Sequence, residues 1–221
     1  MAAASVVCAL VAVGWATEAK NQARPDVVST WVIWLQPLGS FPRALLDPIA
    51  EAAAATFGAE VRRADPVPLP EEAYYPPRRR YRAERLLVFL GRIASDAPPT
   101  TKILGLTSVD ISTTKGRIHD WGIFGLGELG GRAAVVSTHR LRRRARDEAH
   151  LRFRVVTTAI HELGHAFGLP HCDEPRCVMR DAEGTIRTVD ESTGTLGPVC
   201  RARLERQLGS EPSATQPRTP H

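Results

Sequence analysis

The chain has 221 residues and a mass of 24.1 kDa, the size of one domain with extensions rather than two domains. Apolar residues make up 43% and charged residues 24%, which excludes an intrinsically disordered, collagen-like or multi-span membrane protein. The formal net charge is +5, but 26 of the basic residues are Arg and only Lys20, Lys102 and Lys115 are Lys. The excess therefore reads as a compositional bias, and the runs Arg78–Arg80 and Arg142–Arg144 with Arg146 read as solvated helix faces and not as a nucleic-acid footprint.

In chain order, Ala2–Ala16 is uncharged and rich in Ala and Val, with Gly14 and Ala16 placed as a small-x-small cleavage site requires. No Lys or Arg precedes it, and it is shorter than the roughly 20 residues that cross a bilayer as a helix. An export or tethering signal and an ordinary extension both stay open, and with them an exported or a cytoplasmic location. Cys8 follows Val7 where a lipoprotein signal needs a small residue, so no lipid anchor is expected. Thr17–Ser29 reads as a polar linker, which makes residues 1–29 an N-terminal extension.

Thr30–Leu38 is strand-like, and Pro42–Phe57 is an Ala-rich helix ended by Gly58. Glu60–Arg63 is a short strand; Pro66, Pro68, Pro70, Pro76 and Pro77 then force an extended connection before a helix over Tyr81–Ala94. Further strands are expected at Ile103–Leu106, Gly122–Leu126 and Ala133–Ser137. The spacing of Leu151, Phe153, Val155, Ala159, Leu163 and Ala166 predicts one long helix over Glu148–Phe167, and Glu191–Leu208 carries a last one. The Pro- and Ser-containing tail 209–221 is expected to lack order.

The chemistry lies in His161–Met179, HELGHAFGLPHCDEPRCVM. His161 and His165 are four apart, which stacks both imidazoles one turn apart on one helix face, suited to a single ion. Gly168 allows positive φ, so the chain leaves the helix and turns back, and His171 supplies a third ligand. Three neutral imidazoles on zinc leave the fourth tetrahedral position for water, the pattern of a catalytic site. Glu162 is placed to take a proton from that water and pass it to a leaving amine. Cys172 and Cys177, with Cys200 downstream, are further candidate metal ligands. His119, Asp120, His139 and His150 are not needed as ligands and read as surface residues.

HExxHxxGxxH followed by a Met resembles the metzincin zinc peptidases, and the added HC, Cys and CVM resemble the archaemetzincins in particular. Pro68, Leu69, Pro70, Ala73, Tyr74, Arg78, Tyr81, Leu86 and Leu87 match an archaemetzincin-like stretch, as do Leu104–Ser112 and Gly130–Leu141, and Arg80 departs from it where Gln is expected. The resemblance spans roughly residues 30–208 and implies an α/β, metzincin-like (zincin) single catalytic domain, a small twisted mixed sheet packed on helices with a long active-site helix. It implies that Met179 is the apolar Met-turn floor beneath the histidines, and that the strand near Gly122–Leu126 is an edge strand pairing with extended peptide, where Gly125 and Gly127 suit either close backbone approach or a simple turn.

It also implies a second zinc held by four cysteines. Here three positions are Cys172, Cys177 and Cys200, but the fourth is Gly197. A water or a carboxylate such as Asp173 completing the site, and loss of the site with Cys172 and Cys177 as plain thiols or a disulfide, both stay open. The function expected is a zinc metallopeptidase acting on peptide or protein, as a monomer with no transmembrane span and with no nucleic-acid partner. The alternative is a catalytically silent, zinc-stabilised peptide- or nucleic-acid-binding protein, which has no need of Glu162.

Overall fold

Strand β1 (Val32–Pro37) feeds helix α1 (Leu46–Phe57), and the chain returns in β2 (Glu60–Arg63), parallel to β1. This computed structural model describes residues 31–209, so the expectations for the extension 1–29 and for the tail beyond Gly209 lie outside the described residues. Gly58 ends α1 in the left-handed conformation (φ 59°), as its sequence position implies. The Pro-rich connection holds two short strands that the sequence reading lacked, β3 (Tyr74–Tyr75) and β4 (Arg80–Arg82), followed by α2 (Ala83–Ile93). The helix starts two residues later than expected because Tyr81 is held in a strand, donating its N–H to the Asp110 carbonyl.

Next come β5 (Thr101–Thr107), β6 (Ile111–Lys115), β7 (Ile118–Ile123), β8 (Gly125–Gly127) and β9 (Ala133–Ser137). The expected strand Gly122–Leu126 is thus two strands in two sheets: Ile123 pairs with Ile111, and Gly125 with Val136. Short α3 (Thr138–Leu141), long α4 (Glu148–Ala166), α5 (Ile186–Glu191) and α6 (Pro198–Gly209) follow among the described residues. The last helix expected within Glu191–Leu208 is α6, but it begins only at Pro198: Gly194 sits at φ 72°, and Pro198 opens the helix at its first position, where its missing N–H costs nothing.

One sheet has the order β2-β1-β5-β9-β8, parallel except for the antiparallel β8/β9 pair; the other has the order β3-β4-β6-β7. β5 is buried along its whole length because helices cover both faces. Leu104 and Leu106 pack with residues of α1 and α4, including Phe57, Val155 and Ala159, while Ile103 packs with Leu86 and Leu90 of α2. Gly105 makes the second contact close, since a Cβ there would lie 2.6 Å from Leu90 Cδ1.

The arginine runs are not helix faces. Arg80 is largely buried and bonds Asp110 (2.7 Å) and Asp120 (2.8 Å), and Arg140 of α3 bonds Asp110 from the other side (2.6 Å). Asp120 is accordingly an interior ion-pair partner, its side chain 10% exposed, and not a surface residue. His150 is likewise packed in, against Asp190, whereas His119 and His139 are exposed as expected. Arg142–Arg144 and Arg146 are solvated, but in a turn. No described helix is long and apolar enough to cross a membrane.

Candidate active site

The site is built on α4. Asp147 caps its N-terminus by accepting the His150 N–H (2.7 Å), and at the far end Phe167 stacks on Phe57 of α1 with ring centroids 4.5 Å apart. Gly168 (φ 84°) takes the left-handed position, with Gly168 N–H donating to the His165 carbonyl and Leu169 N–H to that of Gly164, the paired bonds of a Schellman ending. The chain then reverses and brings His171 back over the helix, as Gly168 predicts.

Three imidazoles meet there. His165 Nε2 lies 3.1 Å from His161 Nε2 and 3.2 Å from His171 Nε2, and the three donor atoms form one group. Nitrogens held about 2.0–2.1 Å from a tetrahedral ion are about 3.3–3.4 Å apart, so the seat already has the dimensions of a zinc site. The tautomers are fixed as a metal requires: Nδ1–H of His161 donates to the Val178 carbonyl (2.7 Å) and Nδ1–H of His165 to that of Leu169 (2.8 Å), which turns both Nε2 lone pairs inward. Asp181 lies 3.6 Å from His171 Nδ1. Burial, then repulsion from His165, pushes the His161 pKa down to about 3, and burial also lowers that of His165, which favours in both the neutral imidazole that a metal would need.

Glu162, 6% exposed, borders the same cavity of about 590 Å³, which His161, His165 and His171 also line. Burial raises its pKa to about 8, against the opposing effect of a hydrogen bond from the Gly127 N–H. The glycines of β8 are what let this strand lie on the helix. A Cβ on Gly125 would come within 2.6 Å of Glu162 Cγ, and one on Gly127 within 2.3 Å of the Glu162 carbonyl oxygen. Their close approach is thus to α4, which decides against a simple turn. β8 closes its sheet, antiparallel to β9, and borders the cavity.

Met179 is fully buried against α4, where its Sδ would lie 2.4 Å from a Cβ on Gly164, a residue between His161 and His165 in sequence. Cys172, Cys177 and Cys200 are free thiols brought together with Glu174. No disulfide joins Cys172 and Cys177 in this structure, and the carboxylate at the cluster is Glu174, not Asp173, which is exposed. Sequence reasoning missed Glu174, Gly164 and Asp181. Only Gly164 carried a signal, a residue without Cβ between His161 and His165 on the face that meets Met179.

The profile of peptidase family M54 matches residues 66–206. The archaemetzincin of Thermococcus kodakarensis is 34% identical over 187 residues, covering 80% of this chain and 97% of that protein. Among solved structures, the archaemetzincin of Methanopyrus kandleri superposes with a TM-score of 0.71 at 32% identity, covering 82% of this chain and 97% of that one. A zinc-dependent peptidase of Methanocorpusculum labreanum gives 0.65 at 28%, covering 78% and 99%.

Proposed function

This chain belongs to peptidase family M54, is a zinc metallopeptidase with a zincin-like fold, and we propose that it hydrolyses peptide bonds with His161, His165 and His171 as zinc ligands and Glu162 as general base and acid. The observation that carries these roles is the convergence of three inward-facing Nε2 atoms beside a buried carboxyl in one cavity. When bound, zinc supplies Lewis acidity toward the scissile carbonyl, lowers the pKa of water, and draws the buried Glu162 carboxyl back toward its ionised form.

Everything else falls to the chain. Glu162 accepts the proton of the attacking water on its carboxylate and delivers it to the departing amine nitrogen. The Gly127 N–H holds that carboxylate in place. The outer edge of β8 offers backbone groups to an extended peptide, a β-augmentation mode that aligns the scissile bond over the histidines. Met179 and Gly164 fix the floor on which His161 and His165 rest.

The test is a mixed peptide library digested by the full chain and read by mass spectrometry. Zinc-loaded protein should give products, a chelator should stop their formation, and added zinc should restore it. The product ends then show whether termini are trimmed or internal bonds cut. A zinc-loaded protein that yields no products would refute the reading.

A further inference from the structure

Beside the histidine seat, on the loop that carries Met179, lies a second cluster. The Sγ atoms of Cys172, Cys177 and Cys200 and a carboxylate oxygen of Glu174 all lie within 4.8 Å of one another. Cys177 and Cys200 are buried and Cys172 and Glu174 half-buried, and all three sulfurs are free thiols. Cys177 Sγ accepts N–H groups from Met179 (3.4 Å) and Gly197 (3.2 Å), which fix its position in the cluster. In a tetrahedral site with Zn–S of about 2.3 Å the sulfurs stand about 3.8 Å apart, so the cluster needs only a small contraction to close on an ion.

The fourth donor is decided by Gly197. A Cβ built there would lie 2.6 Å from Glu174 Oε2, 2.8 Å from its Cδ and 2.9 Å from its Oε1. The carboxylate fills the space a side chain at position 197 would occupy, and Oε2 is steadied there by the Val199 N–H (3.2 Å). A thiolate and a carboxylate each carry one negative charge, so three cysteines and one glutamate keep the charge balance of four thiolates around a dication.

We propose that Cys172, Cys177, Cys200 and Glu174 form a closed second zinc site in which the Glu174 carboxylate takes the ligand position that Gly197 leaves without a side chain. With four protein ligands it leaves no open position, so its role is structural. It ties the loop that follows His171, and with it Met179, to the first turn of α6. The proposal is independent of hydrolysis, since the donors and their spacing stand whatever the histidine site does.

The test uses the full chain loaded with Co(II), because thiolate-to-cobalt charge transfer reports the cysteine site and is silent at the all-imidazole seat. Wild type should bind two metal ions per chain and show this band. Glu174→Gln, which keeps the shape and removes the charge, and Glu174→Ala should each weaken metal binding at the cysteine site by about tenfold or more, by analogy with losses around other metal sites. The double variant Glu174→Ala with Gly197→Cys should recover the affinity and raise the charge-transfer intensity by about a third, as four thiolates replace three. Any of three results would overturn the proposal: one metal ion per chain in wild type, no change in affinity on replacing Glu174, or a double variant that binds no better than Glu174→Ala.

Discussion

Gly164 stands one position before His165 and faces Met179, whose Sδ lies 2.4 Å from where a Cβ would go. Gly164→Ala therefore forces the buried Met179 to shift. Overpacking of this kind costs about 1–3 kcal/mol, and in a chain of this size each kcal/mol lowers the thermal midpoint by about 2–4 °C. Thermal unfolding followed by circular dichroism should show that drop, and an unchanged midpoint would mean the floor is looser than the structure indicates. At this scale the histidine site was legible because its geometry is local: a spacing of four on a helix and a glycine after it fix where three imidazoles go. Glu174 was not legible, since the space it fills is defined by Gly197, distant in sequence. Both Asp173 and Glu174 sit beside Cys172, and only the backbone course chooses between them.

Among the elements, α4 is held by a buried arginine. Arg154 donates Nε and Nη2 to the Asp190 carboxylate of α5 (2.6 and 2.7 Å), and Nη1 to the carbonyls of Leu141 and Arg143 (3.0 and 2.9 Å). Asp190→Ala strands part of that guanidinium and should destabilise the fold by about 1–3 kcal/mol at neutral pH, read from the denaturant midpoint. The hydrogen bond from Arg154 holds the Asp190 pKa below its usual value, against burial and with help from His150. That stabilisation is present above the ordinary carboxylate range and is lost as pH falls through the depressed folded-state value, so the gap between wild type and variant should narrow in acid. A gap that stays constant with pH would contradict the ion pair. The elements read best from sequence were those with strong periodicity or a simple apolar run, α4 and β9. β3, β4 and β6 were missed because they are short, polar or Arg-rich and gain their strand geometry only from distant partners, as when β4 pairs in parallel with β6.

On the scale of the whole molecule, the two sheets part at Phe124, between β7 and β8, directly beside α4. A continuous apolar and glycine run at Gly122–Leu126 gives no local hint of that division, so sequence reading expected one sheet where there are two. The ion pairs of Arg80 and Arg140 with Asp110 brace the division, and Gly122 leaves room for the Arg140 guanidinium to pass. The same network shows why the basic composition misleads when counted residue by residue: Arg80 serves the interior. The α/β class and the metzincin-like architecture were legible from the motif and its flanking segments, and the two-sheet arrangement around the cleft was not.

The most direct measurement compares kcat/KM for peptide cleavage by the zinc-loaded chain with that of Glu162→Gln at equal zinc content. The predicted result is zinc retained and a loss of about a hundred- to ten-thousandfold, the contribution of a positioned general acid and base. A Glu162→Gln protein that holds zinc and cleaves peptide at the wild-type rate would contradict the role of Glu162 and with it the mechanism.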